Sequence, residues 1–150
     1  VGKTTFSKKL ELENNIVRFT FDEWIIALFG QNPPKEAFSE FESRIKALIW
    51  DTAKRVLRTG NDVILDFGFW KRVDRDQYRS LAKEMGYDIK LYNLQCPEDV
   101  IIKRVLTRTA EMKDGALFID ENAINEFRNY YEPIDPEQEE SILIQTTEQK

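Results

Sequence analysis

The sequence predicts an α/β fold in which a parallel sheet carries helices on both faces. Three observations lead there. Short runs of β-branched and aliphatic residues alternate with longer stretches of helical spacing. Glycines and prolines punctuate the ends of the helical stretches. Four strand-like runs are separated by helices, a βαβ series that requires parallel pairing. There is no internal repeat and no low-complexity linker.

Each element has its own local justification. Residues 1–12 open with Gly2-Lys3-Thr4-Thr5 and continue as a helix with Phe6 and Leu10 on one face. Ile16 to Thr20 is a short β-rich run that leads into Phe21-Asp22-Glu23. A helix is expected from Glu23 to Phe29, stopped by Gly30, before a loop at Asn32-Pro33-Pro34. Phe38, Phe41, Ile45, Leu48, Ile49, Thr52 and Val56 then recur at helical spacing to about Arg58, with Gly60 beyond. Asp62 to Asp66 is a hydrophobic run bounded by carboxylates, the pattern of a buried parallel strand.

A helix over 74–85 follows, with Asp74 expected as its N-cap and Gly86 past its end. Ile89 to Gln95 reads as a strand, and Pro97 starts a helix carrying Val100, Ile101, Val105 and Leu106. Residues 109–119 read as a loop around Asp114-Gly115, and 121–131 as a further helix ended by Pro133 and Pro136. Ser141 to Thr146 is the last strand.

Composition narrows the function classes. The 150 residues suit one compact domain, with 41% apolar and 33% charged residues in ordinary globular balance. The net charge of -5 argues against a broad nucleic-acid footprint. The single cysteine, Cys96, forms no internal disulfide, fits a reducing cytoplasmic compartment, and is expected to be a small buried residue. The chain has no histidine, which removes histidine bases, Ser-His-Asp triads and the usual zinc sites together. No apolar run is long enough to span a bilayer, and no signal peptide is visible.

The opening residues carry the chemistry. In the pattern G-x-x-x-x-G-K-[ST], backbone N–H groups and a helix N-terminus hold phosphate oxygens. The lysine reaches the β and γ phosphates, and the hydroxyl binds Mg²⁺. Gly2-Lys3-Thr4-Thr5 is the second half of that pattern, placed at the start of a helix. The tetrapeptide alone is a weak signal; the helix-β-helix-β series after it gives it weight. The first glycines of the loop and the strand that precedes them in such folds are expected upstream of Val1. Residues 1–150 are therefore expected to form a single P-loop domain that begins inside its phosphate loop.

With these motifs in order, the chain resembles P-loop kinase-like AAA-type ATP-binding proteins. It is similar to zeta toxins, chloramphenicol phosphotransferase and polynucleotide kinase domains. The resemblance rests on Gly2-Lys3-Thr4-Thr5, on Phe21-Asp22-Glu23-Trp24, on Val63 to Trp70, and on Arg104 and Arg108. It implies the kinase-type P-loop fold with an arginine-bearing lid, and ATP and Mg²⁺ as cofactors. It also implies roles for residues. Gly2, Lys3, Thr4 and Thr5 would bind nucleotide, with Lys3 on the β/γ phosphates. Thr4 and Asp66 would hold the metal. Asp22 would accept the proton of an acceptor hydroxyl, and Arg104 and Arg108 would stabilise charge on the transferring phosphate.

Each role competes with a plainer one. Asp66 could cap a strand end or form a salt bridge, and Asp22 could cap the next helix. Arg104 and Arg108 could belong to a solvated basic stripe with Lys103. Lys71, Arg72 and Arg75 could bind an anionic substrate or pair with Asp74 and Asp76. Trp24, Phe69 and Trp70 could stack on an aromatic acceptor or simply pack.

The leading expectation is an ATP:hydroxyl phosphotransferase acting on a small molecule. Alternatives are a non-catalytic ATP-binding regulatory module and a 5′-hydroxyl polynucleotide kinase. The absence of an Asn-Lys-x-Asp motif argues against a GTPase.

Overall fold

The computed structural model describes residues 2–110 and 121–146, apart from the side chains of Glu98, Val105, Arg108, Thr109, Glu121 and Ala123. Its elements are α1 (Lys3–Asn14), β1 (Val17–Thr20), α2 (Phe21–Phe29), α3 (Lys35–Arg58), β2 (Val63–Asp66), α4 (Arg72–Glu84), β3 (Tyr92–Gln95), α5 (Glu98–Ala110), α6 (Glu121–Tyr130) and β4 (Ile142–Gln145). All ten follow the expected order. The loop expected at 109–119 lies largely outside the described residues. Among the described residues, no helix is long and apolar enough to cross a membrane.

The strands pair in parallel, as the βαβ pattern requires. They do so as two couples, β1 with β2 and β3 with β4. The chain divides into two compact units, one built on Gly2–Phe67 with Val105–Phe118 and the other on Gly68–Arg104 with Ile119–Lys150.

In the first unit, Val17, Arg18, Phe19 and Thr20 face Val63, Ile64, Leu65 and Asp66 in register. The C-terminal ends of parallel strands lie at one edge, so Thr20 and Asp66 end side by side. The core gathers Phe19, Phe21, Ile25, Ile45, Ile49, Ala53 and Phe67. Ile25 and Ile49 are fully enclosed, each contributing about 1.5–3 kcal/mol by removal from water. Ile45, Ile49 and Ala53 recur every four residues, so one stripe of α3 faces inward. Leu48, expected on that stripe, is instead 53% exposed, because the buried line runs through i+4 steps and leaves it to one side. Aromatic contacts seat α2 on α3: Phe29 stacks on Phe41 at 3.8 Å, and Phe21 meets Phe38 edge-on at 6.0 Å.

In the second unit, Tyr92 to Gln95 pair with Ile142 to Gln145. Helix α4 starts at Arg72, two residues before the expected Asp74 cap, which falls in its first turn. The reason lies far off in sequence. The Arg72 backbone N–H donates to Glu132 Oε2 at 2.8 Å, so a remote carboxylate satisfies the first donor of a helix that starts about a half-turn earlier than expected. Cys96 is half-buried rather than enclosed.

Candidate active site

Helix α1 begins at Lys3 directly after Gly2, whose φ of 86° lies in the left-handed region that favours glycine. The Gly2 carbonyl accepts the Phe6 N–H at 2.9 Å. The free N–H groups of a helix start, with their positive dipole end, form the anion-binding half of a phosphate loop. No acidic residue stands in the first turn to compete for them.

One turn along, Ser7 is buried and turns its hydroxyl toward β2. Asp66 ends that strand with its carboxylate wholly removed from solvent. A buried carboxylate must be compensated, and three donors do so. The Lys3 ammonium pairs with Oδ1 and lies 3.4 Å from the Asp66 carbonyl oxygen. Ser7 Oγ donates to Oδ2 at 2.6 Å, and Arg18 Nη1 donates to the same oxygen at 3.2 Å. Asp66 is thus a doubly paired carboxylate at a strand end beside a helix N-terminus. Its salt-bridge reading is realised, and the pairing leaves it adjacent to the phosphate-loop lysine.

Arg18 was not singled out by the sequence motifs. Its guanidinium is 5% exposed and also reaches Glu11, Thr20 and Glu23. Burial alone would lower its pKa; hydrogen bonds with Glu23 and Glu11 and the charges of Glu23 and Asp66 outweigh it, so the pKa is raised. The available signal was strand alternation, which puts Arg18 on the same face as Thr20, the register partner of Asp66. Ser7 was also missed; its signal was the i+4 spacing from Lys3.

The remaining expected residues fall as follows. Thr4 is half-buried in the first turn of α1, where its carbonyl accepts Ser7 Oγ at 3.0 Å; Thr5 is exposed. Asp22 is half-buried at the second position of α2, two residues beyond Thr20. The cap residue of that helix is Thr20, so the expected capping role of Asp22 is not the one it occupies. Arg104 is half-buried on α5; Arg108 lies on the same helix, with its side chain outside the described residues.

The basic segment after β2 serves structure. Arg75 is buried against Glu139, Arg72 pairs with Asp76, and Lys71 lies over the Tyr130 ring. The aromatic residues pack edge-on in like fashion: Trp24 on Phe19, Phe69 on Tyr78, and Trp70 on Phe127.

The donor set suits Mg²⁺, which takes one or two carboxylates and completes its shell with water and phosphate oxygens. Asp66 and the Thr4 hydroxyl are groups of that kind. Among the described residues no cluster of three or more His, Cys, Asp or Glu could hold a metal by itself, so a protein-only metal cage is not what this site offers.

A glycine-started helix, its lysine, and a buried strand-end carboxylate in a parallel α/β fold define a P-loop protein of the kinase-like class. The chain belongs to the AAA domain family, whose profile matches residues 1–134. Among solved structures it is similar to a candidate kinase from Chloroflexus aurantiacus J-10-fl. The TM-score is 0.69 and the identity 21%, covering 97% of this chain and 82% of that one. At that identity the likeness bears on fold. No curated protein matches the sequence.

Proposed function

We propose that this protein is an ATP-dependent phosphotransferase that acts on the hydroxyl group of a small molecule. The observation that carries the reading is the meeting of Lys3 and Asp66 at the N-terminal end of α1. Phosphoryl transfer asks for alignment and charge neutralisation more than for covalent chemistry, and these groups supply both.

Lys3 would bind the β and γ phosphates, with Gly2, Thr4 and Thr5 contributing at the helix start. Thr4 and Asp66 would hold Mg²⁺, which when bound neutralises charge on the phosphate oxygens. Asp22 stands past the end of β1, at the strand edge shared with Asp66, where it would accept the proton of the acceptor hydroxyl. The acceptor oxygen forms its bond to the γ phosphorus as the bond to the ADP oxygen breaks. Arg104 and Arg108, four residues apart on α5, would stabilise charge on the transferring group, as the resemblance implies.

The test is calorimetric titration with Mg-ATP of the parent and of Lys3→Ala. Saturable, magnesium-dependent binding is expected in the parent, weakened by about tenfold or more in the variant through loss of a charge-assisted contact. Equal affinity in the two would remove Lys3 from the nucleotide site.

A further inference from the structure

The two oxygens of Asp66 are used differently. Oδ2 takes Ser7 at 2.6 Å and Arg18 at 3.2 Å, and Oδ1 takes Lys3. Ser7 and Arg18 thus share one oxygen, and the phosphate-loop lysine has the other.

Arg18 is itself held from every side. Its Nε donates to Glu11 Oε2 on α1 at 3.2 Å, and its Nη2 to Glu23 Oε1 on α2 at 2.7 Å. Its Nη1 donates to Thr20 Oγ1 at 2.7 Å as well as to Asp66. The Arg18 backbone N–H reaches the other oxygen of Glu11 at 3.3 Å. One guanidinium therefore ties α1, β1, α2 and β2 together at the strand edge where Asp22 and Asp66 stand. The planar fork of arginine can do this with separate N–H groups; a lysine ammonium is a single point charge.

From this division we propose that Arg18 is a positioning residue for Asp66. With Ser7 it fixes Oδ2, which leaves Oδ1 directed at the phosphate-binding end of α1. It is also the cation that stays with Asp66 when Lys3 engages phosphate. An enclosed carboxylate losing one of two cationic partners would otherwise be left poorly compensated. Arg18 touches neither nucleotide nor acceptor in this scheme and acts only through Asp66. The proposal rests on the reading of Lys3, Thr4 and Asp66 as a magnesium–nucleotide site.

The experiment measures ATP affinity by calorimetry, with and without Mg²⁺, for the parent and for Arg18→Met and Arg18→Lys. The quantity read is the ratio of the two affinities, which expresses the coupling between metal and nucleotide. Arg18→Met is expected to lower that ratio by about tenfold, and Arg18→Lys, which keeps the charge and loses the fork, to recover part of it. A purely structural role would lower the melting temperature and both affinities together, leaving the ratio where it was. That outcome overturns the proposal.

If Arg18→Met does not fold, Thr20→Val decides. It removes the 2.7 Å hydrogen bond that aims the guanidinium and leaves every charge in place. A ratio lowered by about threefold supports Arg18 as the positioning group, and an unchanged ratio rejects it. A parent protein that binds no Mg-ATP would sink the nucleotide reading and this proposal with it. A parent with magnesium-dependent binding and variants with its ratio would sink this proposal alone.

Discussion

Arg75 and Glu139 form a buried two-point ion pair: Nη2 lies 2.6 Å from Oε1 and Nε 2.9 Å from Oε2, with each side chain 1% exposed. The remaining terminal nitrogen, Nη1, donates to the carbonyl oxygens of Phe69 at 2.9 Å, Glu132 at 3.1 Å and Trp70 at 3.3 Å. Arg79 joins from the next turn at 3.0 Å. The pair fastens the segment after β2 to the chain that leads into β4. It also answers the open question over Arg75, whose donors are spent within the fold.

Replacing Arg75 by methionine keeps the apolar bulk but strands a carboxylate in the interior. The expected loss is about 3 kcal/mol in urea unfolding, at the lower end for a broken buried pair because Arg79 remains. A loss below about 1 kcal/mol would mean that the pair is worth no more than a surface bridge.

The same site makes stability sensitive to acid. The hydrogen bond from Arg75 is the main reason that the Glu139 pKa falls from 4.5 to about 2; burial opposes the shift, and Arg79 adds to it. A depressed carboxylate contributes stability above its unfolded pKa and loses it as pH falls toward the folded one. The contribution should be complete above about pH 5 and fade towards pH 2. Glu139→Gln should therefore melt well below the parent at neutral pH, with the gap narrowing through that window. A gap of constant size across the window would exclude this linkage.

Much of this fold was legible because its signals are local. Glycines past the helix ends, aliphatic runs and a phosphate-loop fragment are each read within about a dozen residues. Of the candidate site, two motif positions could be picked out locally. Lys3 and Asp66 carry motif positions, and the structure joins them. What escaped depends on long-range pairing. Strand alternation gives Arg18 a face but not the carboxylate 48 positions later that it meets, and nothing near Arg72 announces that Glu132 supplies its helix-end acceptor. The exposure of Leu48 has a different, local cause, since a helical stripe fixes a face only to within one neighbouring position.

The turn after β2 is tightly closed. A Cβ on Gly68 would lie 2.3 Å from Trp70 Nε1 and 2.7 Å from Cδ1, and Phe69 beside it has a φ of 47°. Gly68→Ala should therefore push the indole off its edge-on contact with Phe127, now at 5.0 Å. With Trp24 and Trp50 changed to phenylalanine, tryptophan emission reports Trp70 alone. A red shift and a loss of about 1–3 kcal/mol are expected. Emission identical to that of the parent would show that the turn absorbs the methyl group elsewhere.

Asp22 separates chemistry from binding. It sits in the first turn of α2, where the helix dipole favours negative charge, and it follows the strand whose last residue is in register with Asp66. Asp22→Asn preserves shape and removes a proton acceptor. Transfer from ATP should fall by about 10²–10⁴-fold, the usual worth of a positioned base. Nucleotide affinity should stay close to that of the parent, because no phosphate contact is lost. The measurement is phosphorylated product from radiolabelled ATP, paired with a calorimetric titration of the same sample. Retained transfer with retained binding would take Asp22 out of the reaction, and lost binding would mean that its carboxylate shapes the nucleotide site.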